Sequence, residues 1–520
     1  MIFRSPAATV SYEFQPLGHL ILQQARARGD KPALIDAASD RTITYSELGD
    51  AIDSLAAGLH ARGFSKGDVF GIFLPNVPEY AVVYHAVARL GGASTTVNPL
   101  YTADELEFQL NDAGAKYLLT IPQFLDRALE AAGKSAVKEV FVLGEAEGAT
   151  PLSDVFVPGG ELPNVEITSD DVIALPYSSG TTGLPKGVML THGNLVANIF
   201  QTDPVFATDE TQTLIAVLPF FHIFGQQVIM NSGLSRGATV VSLPRFDLEQ
   251  FLGAIQKYRV TRAYLVPPII LALAKHPVVE KYDVSSLQLI VSGAAPLGRE
   301  VQETVEKRLG CKVVQGYGLT ETGPVTNVSP QHGATKFGSI GPLVPNTEAK
   351  VIDVSTGDEL DPDERGEICI RGPQIMKGYL NNTAATEHTI DGDGFLHTGD
   401  IGYVDDEGDF YIVDRLKELI KFKGFQVPPA ELEALLLTHP SIADAAVIPV
   451  PDEEAGELPK AYVVKTGDLT EDDVMSYVAE RVAPYKKVRL VEFVDEIPKS
   501  ASGKILRRVL VERERAATTS

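Results

Sequence analysis

The stretch "SSGTTGLPKG", Ser178 to Gly187, packs three glycines, four hydroxyls and a lysine into ten residues. Backbone amides freed by glycine, hydroxyl donors and one cation together suit a polyphosphate. The pattern departs from the Walker A loop, because Pro185 and Gly187 flank Lys186 and no hydroxyl follows to hold magnesium. That disfavours a P-loop kinase or GTPase. Isolated Ser/Gly/Thr clusters are mostly polar turns, but the density of matched features weighs against that here. "QGYGLTE", Gln315 to Glu321, sets a carboxylate directly after a hydroxyl in a Gly-opened loop. Such a carboxylate is a sensible magnesium ligand, and a simple Gly-rich turn fits the residues equally well. His222 sits inside the apolar run "PFFHIFG", where a lone His is more often a satisfied core residue than a catalytic one. "GLSRG", Gly233 to Gly237, matches the hydrolase pattern G-x-S-x-G, but the strand-like "ATVVSLP" follows where a helix is required, so Ser235 reads as a turn residue.

A phosphate loop must hang from rigid elements. "DVIALPY" before it is strand-like, and "THGNLVANIF" after it reads as a helix that Thr191 is placed to cap. From about residue 30 to 310, apolar runs of strand length alternate with amphipathic stretches, the signature of α/β layers. "TLIAVLPFF", "ATVVSLP" and "LQLIVSG" read as buried strands. "DLEQFLGAIQKY" carries Leu248, Phe251, Leu252 and Ile255 on one helical face, and "GREVQETVEKRLG" ends in Gly310, suited to a C-cap. From about 340, short segments split by Gly, Asp and Pro predict β-hairpins that form a small distorted β-barrel or sheet. After Arg415 helix and strand alternate again. The expected organisation is a large N-terminal α/β domain, 1–416, followed by a small, mobile α+β C-terminal domain, 417–520.

Composition bounds the function. With 520 residues, 44% of them hydrophobic, the chain can bury more than one core. No apolar run approaches the ~18 residues of a membrane span, and the N-terminus lacks a signal-peptide core, so a cytoplasmic enzyme without integral membrane association is expected. The only two cysteines, Cys311 and Cys369, have no Cys or His close in sequence. Neither a disulfide framework nor a structural zinc is expected, and both read as buried packing residues. The net charge of −24 argues against nucleic acid as a partner. An anionic ligand must therefore meet local cations, which cluster at Lys417, Lys421 and Lys423 and again at Lys499, Lys504, Arg507 and Arg508. The common reading of such runs is a solvated helix face.

With these motifs in hand, the sequence resembles the acyl-adenylate-forming enzymes, in the branch of 4-coumarate:CoA ligases and acyl-CoA synthetases. The resemblance runs from "TYSEL" to "SGKILRR" and includes, besides the opening loop, "LPFFHIFG", "SGAAPLG", "QGYGLTETGPV", "HTGDIGYVDDEG", "VDRLKELIKFKGFQVPPAELE" and "PKSASGKILRR", in family order. It implies activation of a carboxylic acid by ATP to acyl-AMP and pyrophosphate, with magnesium, and then displacement of AMP by coenzyme A. Two anions meet in the first step, so catalysis rests on charge neutralisation and positioning, and no enzyme nucleophile is needed.

Position by position, the resemblance implies that Ser178, Ser179, Gly180, Thr181, Thr182 and Lys186 cradle the β- and γ-phosphates. Gln315, Gly316 and Tyr317 would surround the adenine, Thr320 touch the α-phosphate and Glu321 hold magnesium. Asp400 would accept from both ribose hydroxyls and Arg415 donate to ribose or phosphate. Lys504 would stabilise charge during adenylation. Lys417 lies where the family turns its C-terminal domain, so that a second orientation would bring Lys421 and Gln426 to the acyl-AMP, with Lys423 and Gly424 facing CoA. Arg245 replaces a lysine used near CoA. His222 is expected to align or gate the carboxylate, beside an acyl pocket of Phe224, Val228, Gly293, Ala294, Gly316, Pro324, Val325 and Val328, where small residues leave a slot for a flat aryl or alkyl tail.

Plant 4-coumarate ligases usually carry tyrosine and serine where this chain has Phe224 and Val228, which penalises a buried phenol. The expected activity is an aryl-acid CoA ligase acting on cinnamate-like acids, as a monomer or homodimer. The alternatives are a medium-chain fatty acyl-CoA synthetase, a luciferase-like monooxygenase, a carrier-protein-loading adenylation enzyme and a catalytically dead nucleotide-binding protein.

Overall fold

The computed structural model describes residues 1–178, 185–332, 336–423, 425–452, 454–500 and 503–518, with side chains of the last segment to residue 516. Ser179, Gly180, Thr181, Thr182 and Gly424 lie outside the described residues.

Two eight-stranded sheets form the bulk of the molecule. One centres on parallel strands Val172–Ser178, Ala93–Thr96, Val69–Ile72, Ala115–Thr120 and Glu139–Val142, and the other on Lys312–Gly318, Leu289–Ser292, Arg262–Leu265, Thr213–Ala216 and Thr239–Ser242. The three strands read as buried all lie in the second sheet, and each of their residues but Thr213 is buried. Parallel strands covered by helices on both faces are continuously apolar for this reason. Helix Leu248–Tyr258 buries Phe251, Leu252 and Ile255, and helix Arg299–Leu309 ends on Gly310 at φ 68°. Thr191 caps helix His192–Phe206 in a reciprocal arrangement with Asn194.

The expected barrel is an open five-stranded sheet: Ile2–Arg4, Glu348–Ile352, Gly366–Arg371, Leu396–Val404 and Phe410–Arg415. Its last strand is also tied back to the segment before Glu348, by a bridge from Phe410 to Gly341. A further sheet is built from Ile420 onward around the long hairpin Ile442–Asp452 and Gly456–Lys465, covered by helices Pro429–Leu437 and Glu471–Ala479. It has its own apolar core, including Ile420, Val427, Leu432, Val447 and Val463. Among the described residues no helix is long and apolar enough to cross a membrane.

The opening loop connects antiparallel strands, because Ser178 faces Lys186 in the pairing of Val172–Ser178 with Lys186–Thr191. A Walker A lysine opens a helix, whereas Lys186 opens a strand, so the structure adds a second ground against that motif. Ser235 ends the short helical turn Ser232–Ser235, buried and donating to the Ser232 carbonyl at 2.9 Å, which leaves it unfit as a nucleophile.

Candidate active site

Many of the residues expected in the site converge because they end or follow parallel strands. Open α/β sheets bind ligands beyond the carboxyl ends of their strands. Ser178 ends one such strand, Gly293 and Ala294 follow another, and Gln315, Gly316 and Tyr317 end a third, with Thr320 and Glu321 just beyond. Gly318 permits that last turn, since a Cβ there would sit 1.8 Å from the Pro324 carbonyl oxygen. Ala294 holds φ at 69°, a left-handed backbone uncommon for a residue with a side chain.

These strand ends open on a cleft of about 2270 Å³, well above the ~300–1,000 Å³ usual for one small ligand. Ser178, Lys186, His222, Ala294, Gln315, Gly316, Tyr317, Thr320, Glu321, Asp400, Arg415, Lys417 and Lys504 all line it.

Asp400 is 5% exposed and pairs with Arg415 across two antiparallel strands. The Tyr317 hydroxyl donates to its Oδ2 at 2.6 Å, and the Arg415 Nε lies 3.4 Å from its Oδ1. Burial pushes the Asp400 carboxyl up, against the opposing pull of Arg415, Tyr317 and Lys504. Gln315 turns its amide to the loop after Leu289–Ser292, accepting from the Leu297 amide at 3.0 Å and donating to the Leu297 carbonyl at 3.3 Å. It thereby fixes the "SGAAPLG" segment against the strand.

Lys186 lies 4.8 Å from the centre of the Tyr379 ring, whose hydroxyl donates to Glu321 Oε1 at 2.8 Å. Tyr379 was not anticipated from the sequence. Tyr379 holds the Glu321 carboxylate at one oxygen, and a carboxylate so oriented beside the phosphate loop fits magnesium held by one carboxylate plus substrate phosphates.

Lys504 reaches the cleft from the far end of the chain. Its loop closes on Ser500, which donates its amide to the Lys504 carbonyl at 2.8 Å and accepts the Lys504 amide on its hydroxyl at 3.1 Å. Gly503 packs on Val266, where a Cβ would lie 2.9 Å from a methyl, and it holds φ at 77°. The loop therefore needs glycine twice over, for space and for backbone. Burial and the Arg415 charge depress Lys504 to about 8, against the pull of Asp400, Glu321 and Glu418. His222 is pushed down to about 3, first by burial and then by Lys504. Its Nδ1 accepts the Phe224 amide at 3.2 Å, so the ring is neutral and oriented. Directly after it, Phe224–Asn231 forms a π-helix, a form concentrated at functional sites.

The expected acyl pocket is packed on itself. Val228, Val325 and Val328 are nearly fully buried, Pro324 is buried beside them, and the Phe224 ring takes the space left at Gly293, where a Cβ would meet it at 2.7 Å. The slot expected at Gly293 is thus filled by the chain's own ring, while at Gly316 a Cβ would meet only ordinary contacts of 3.6 Å and more.

Other residues stay outside the cleft. Lys421 and Gln426 face each other on the exposed hairpin Ile420–Phe422 and Phe425–Val427. Lys423 is exposed and pairs with Glu454 at 2.8 Å. Arg245 is exposed on the segment after Thr239–Ser242. The solvated-face reading holds for Arg508, whose side chain is 84% exposed. It fails for Arg507, which is partly buried and held between Glu418 and Glu433. Cys369 is buried as expected, and the fold brings it a histidine from far along the sequence: Cys369 and His397 are register partners, Sγ to Nδ1 3.5 Å, with Glu367 at 3.1 Å from the same nitrogen.

Two family models cover this architecture. Residues 21–380 match the AMP-binding enzyme model and 431–504 the AMP-binding enzyme C-terminal domain. The chain belongs to the AMP-binding enzyme family. Among curated relatives, this AMP-binding enzyme is 44% identical to 4-coumarate--CoA ligase 1 of Petroselinum crispum, over 99% of this chain and 97% of that protein. Among solved structures, it is similar to the anthranilate CoA ligase AuaEII in complex with anthranoyl-AMP, with TM-score 0.91, 26% identity and coverage of 98% and 99% of the two chains. ATP-bound MatB from Rhodopseudomonas palustris gives TM-score 0.87 and 30% identity over 96% and 99%.

Proposed function

We propose that the chain is an AMP-forming acid:CoA ligase of the 4-coumarate:CoA ligase type, which joins a carboxylic acid to ATP as acyl-AMP and then to coenzyme A. Near full-length identity of 44% to 4-coumarate:CoA ligases supports the reaction. The observation that carries the mechanism is the convergence of Lys186, Glu321, Asp400, Arg415 and Lys504, each from a different motif, on one cleft.

Lys186 and Ser178 take the outer phosphates. Asp400 accepts from the ribose, and Gly316 gives flat access for the base. Magnesium, held by Glu321 and the phosphates, would neutralise charge between the two anions. Lys504 donates to the oxygens where carboxylate and α-phosphate meet, and neutral His222, whose Nδ1 accepts from the Phe224 amide, orients the carboxylate by donating from Nε2. Lys421, Lys423 and Gln426 serve the thioester step after the unit from Lys417 onward has turned, which makes 1–416 and 417–520 the two working domains. The position of Lys504 in the cleft and the exposure of the Lys421 hairpin support reading this arrangement as the adenylation one.

Lys504 must be charged to act, and its depressed value places loss of that charge at about 8. For adenylation, kcat/KM for ATP is expected to fall as pH rises through about 8, and the residual rate of Lys504→Ala to be flat there. Because His222 is neutral down to about 3, no limb near 6.5 accompanies it. A pH profile of pyrophosphate release checks both, and a limb that survives in Lys504→Ala would reassign it.

For the acid, an apolar wall of Phe224, Val228, Val325 and Val328 favours cinnamate over 4-coumarate. The variant Phe224→Tyr with Val228→Ser is expected to move the kcat/KM ratio toward 4-coumarate by roughly ten- to a hundredfold, the effect of giving a buried hydroxyl its partners. The test is kcat/KM for cinnamate, 4-coumarate, benzoate and octanoate. Efficient turnover of octanoate with neither cinnamate nor 4-coumarate would replace the aryl reading by a fatty acyl one.

A further inference from the structure

The strand that carries Arg415 also carries Asp414, which is 5% exposed and does not belong to any of the roles above. Its Oδ1 accepts the amide of its neighbour Arg415 at 2.7 Å. Its Oδ2 reaches across the Lys417 turn and accepts the amide of Ala430 at 2.9 Å. Ala430 is the second residue of helix Pro429–Leu437, and the residue at that helix's own N-cap position is Pro428, which has no side-chain acceptor to offer. A helix leaves its first amides without intrahelical partners, and Asp, Asn, Ser or Thr normally supplies the missing acceptor from the cap position. Here the acceptor comes from the other side of the turn.

The contact has a fixed setting. On the helix side, Glu433 accepts the Val447 amide at 2.8 Å and holds Arg507 at 2.7 Å, and Arg507 also donates to Glu418, the residue after Lys417. Helix Pro429–Leu437, the residue leaving the turn and the start of the helix that follows Lys504 are thereby tied into one unit. Within that tied unit, Lys504 and Arg507 are three residues apart. Whatever holds helix Pro429–Leu437 to the strand Phe410–Arg415 therefore also holds Lys504 in the cleft.

We propose that Asp414 is a positioning residue, a latch that keeps the C-terminal unit in the adenylation arrangement by capping helix Pro429–Leu437 across the Lys417 turn. The inference rests on the two-arrangement reading given above. Breaking the cap selectively disfavours the arrangement that makes acyl-AMP. It leaves alone the one that consumes it, in which the Ala430 amide is satisfied by water.

The test compares wild type, Asp414→Ala, Asp414→Asn, Ala430→Pro, the double variant Asp414→Ala/Ala430→Pro, and Lys504→Ala in two half-reactions. These are carboxylate-dependent pyrophosphate release, and thioester formation from supplied acyl-AMP and CoA. Asp414→Ala is expected to slow adenylation roughly fivefold, the equivalent of the ~1 kcal/mol typical of a lost N-terminal cap, with thioester formation unchanged or faster. Asp414→Asn keeps an acceptor and stays within about twofold of wild type. Ala430→Pro removes the donor at a first-turn position where proline is tolerated, reproduces the Asp414→Ala effect, and adds nothing to it in the double variant. It also carries the test if Asp414→Ala does not fold. Equal losses in both half-reactions, or wild-type adenylation in Asp414→Ala while Lys504→Ala has lost it, overturn the latch alone. Wild-type adenylation in Lys504→Ala overturns the parent reading, and the latch with it.

Discussion

Replacing Lys504 with alanine is expected to lower the rate of carboxylate-dependent pyrophosphate release by about two to three orders of magnitude, the usual cost of removing one preorganised donor from a developing anion. The structure says why one side chain matters so much. Lys504 stands among Asp400, Glu321, Glu418 and Arg415 in a half-buried position, where its charge is costly to hold and correspondingly strong in its effect. Its loop is built for that position, closed on Ser500 and seated on Val266 through Gly503. The loss should appear in kcat more than in KM for either substrate, since the interaction is made mainly in the transition state. Thioester formation from supplied acyl-AMP should persist near the wild-type rate, and Lys421→Ala should show the converse pattern. If Lys504→Ala lost both half-reactions together, its role would be structural.

The second large effect is expected at Asp400. Asp400→Ala removes the acceptor assigned to the ribose and leaves the Tyr317 hydroxyl and the Arg415 guanidinium without the partner they hold at 2.6 and 3.4 Å. Hydrogen bonds to charged groups are worth ~1.5–3 kcal/mol each, so KM for ATP should rise about ten- to a hundredfold. Asp400→Asn should sit between Ala and wild type, because it keeps one acceptor for Tyr317 and loses the charge facing Arg415. Thermal unfolding separates binding from stability: the Asn variant should lose affinity for ATP while its Tm moves little. Unchanged KM for ATP in both variants would remove Asp400 from the nucleotide site.

What the sequence made legible follows from what local pattern can encode. Thr191 as a cap, Gly310 as a helix end and the buried strands each depend on neighbours a few residues away, and each is found as read. The convergence of "SSGTTGLPKG", "QGYGLTE", "HTGD" and "SGKILRR" on one cleft was readable only through the resemblance, since no spacing rule links residues 186 and 504. Contacts set by register were not readable. Cys369 meets His397 because two antiparallel strands pair at that offset, and a shift of one residue would point the side chains apart. The Phe224 ring over Gly293 depends on the π-helix that follows His222, for which the apolar run gave no signal. The cap by Asp414 had no signal in the sequence, because its partner is a backbone amide sixteen residues on and amides carry no sequence signature. The choice between barrel and open sheet was not readable for a related reason, as hairpin-rich texture fits both and closure is decided by long-range pairing.

The most direct test of the central claim is pyrophosphate release by the full chain with ATP and magnesium, measured with and without cinnamate or 4-coumarate, before and after addition of coenzyme A. The account predicts release that requires the acid, stops near one equivalent per enzyme without CoA, and becomes continuous with CoA as acyl-CoA and AMP accumulate together. Release that ignores the acid, or acid-dependent release that CoA neither accelerates nor converts to a thioester, would contradict it.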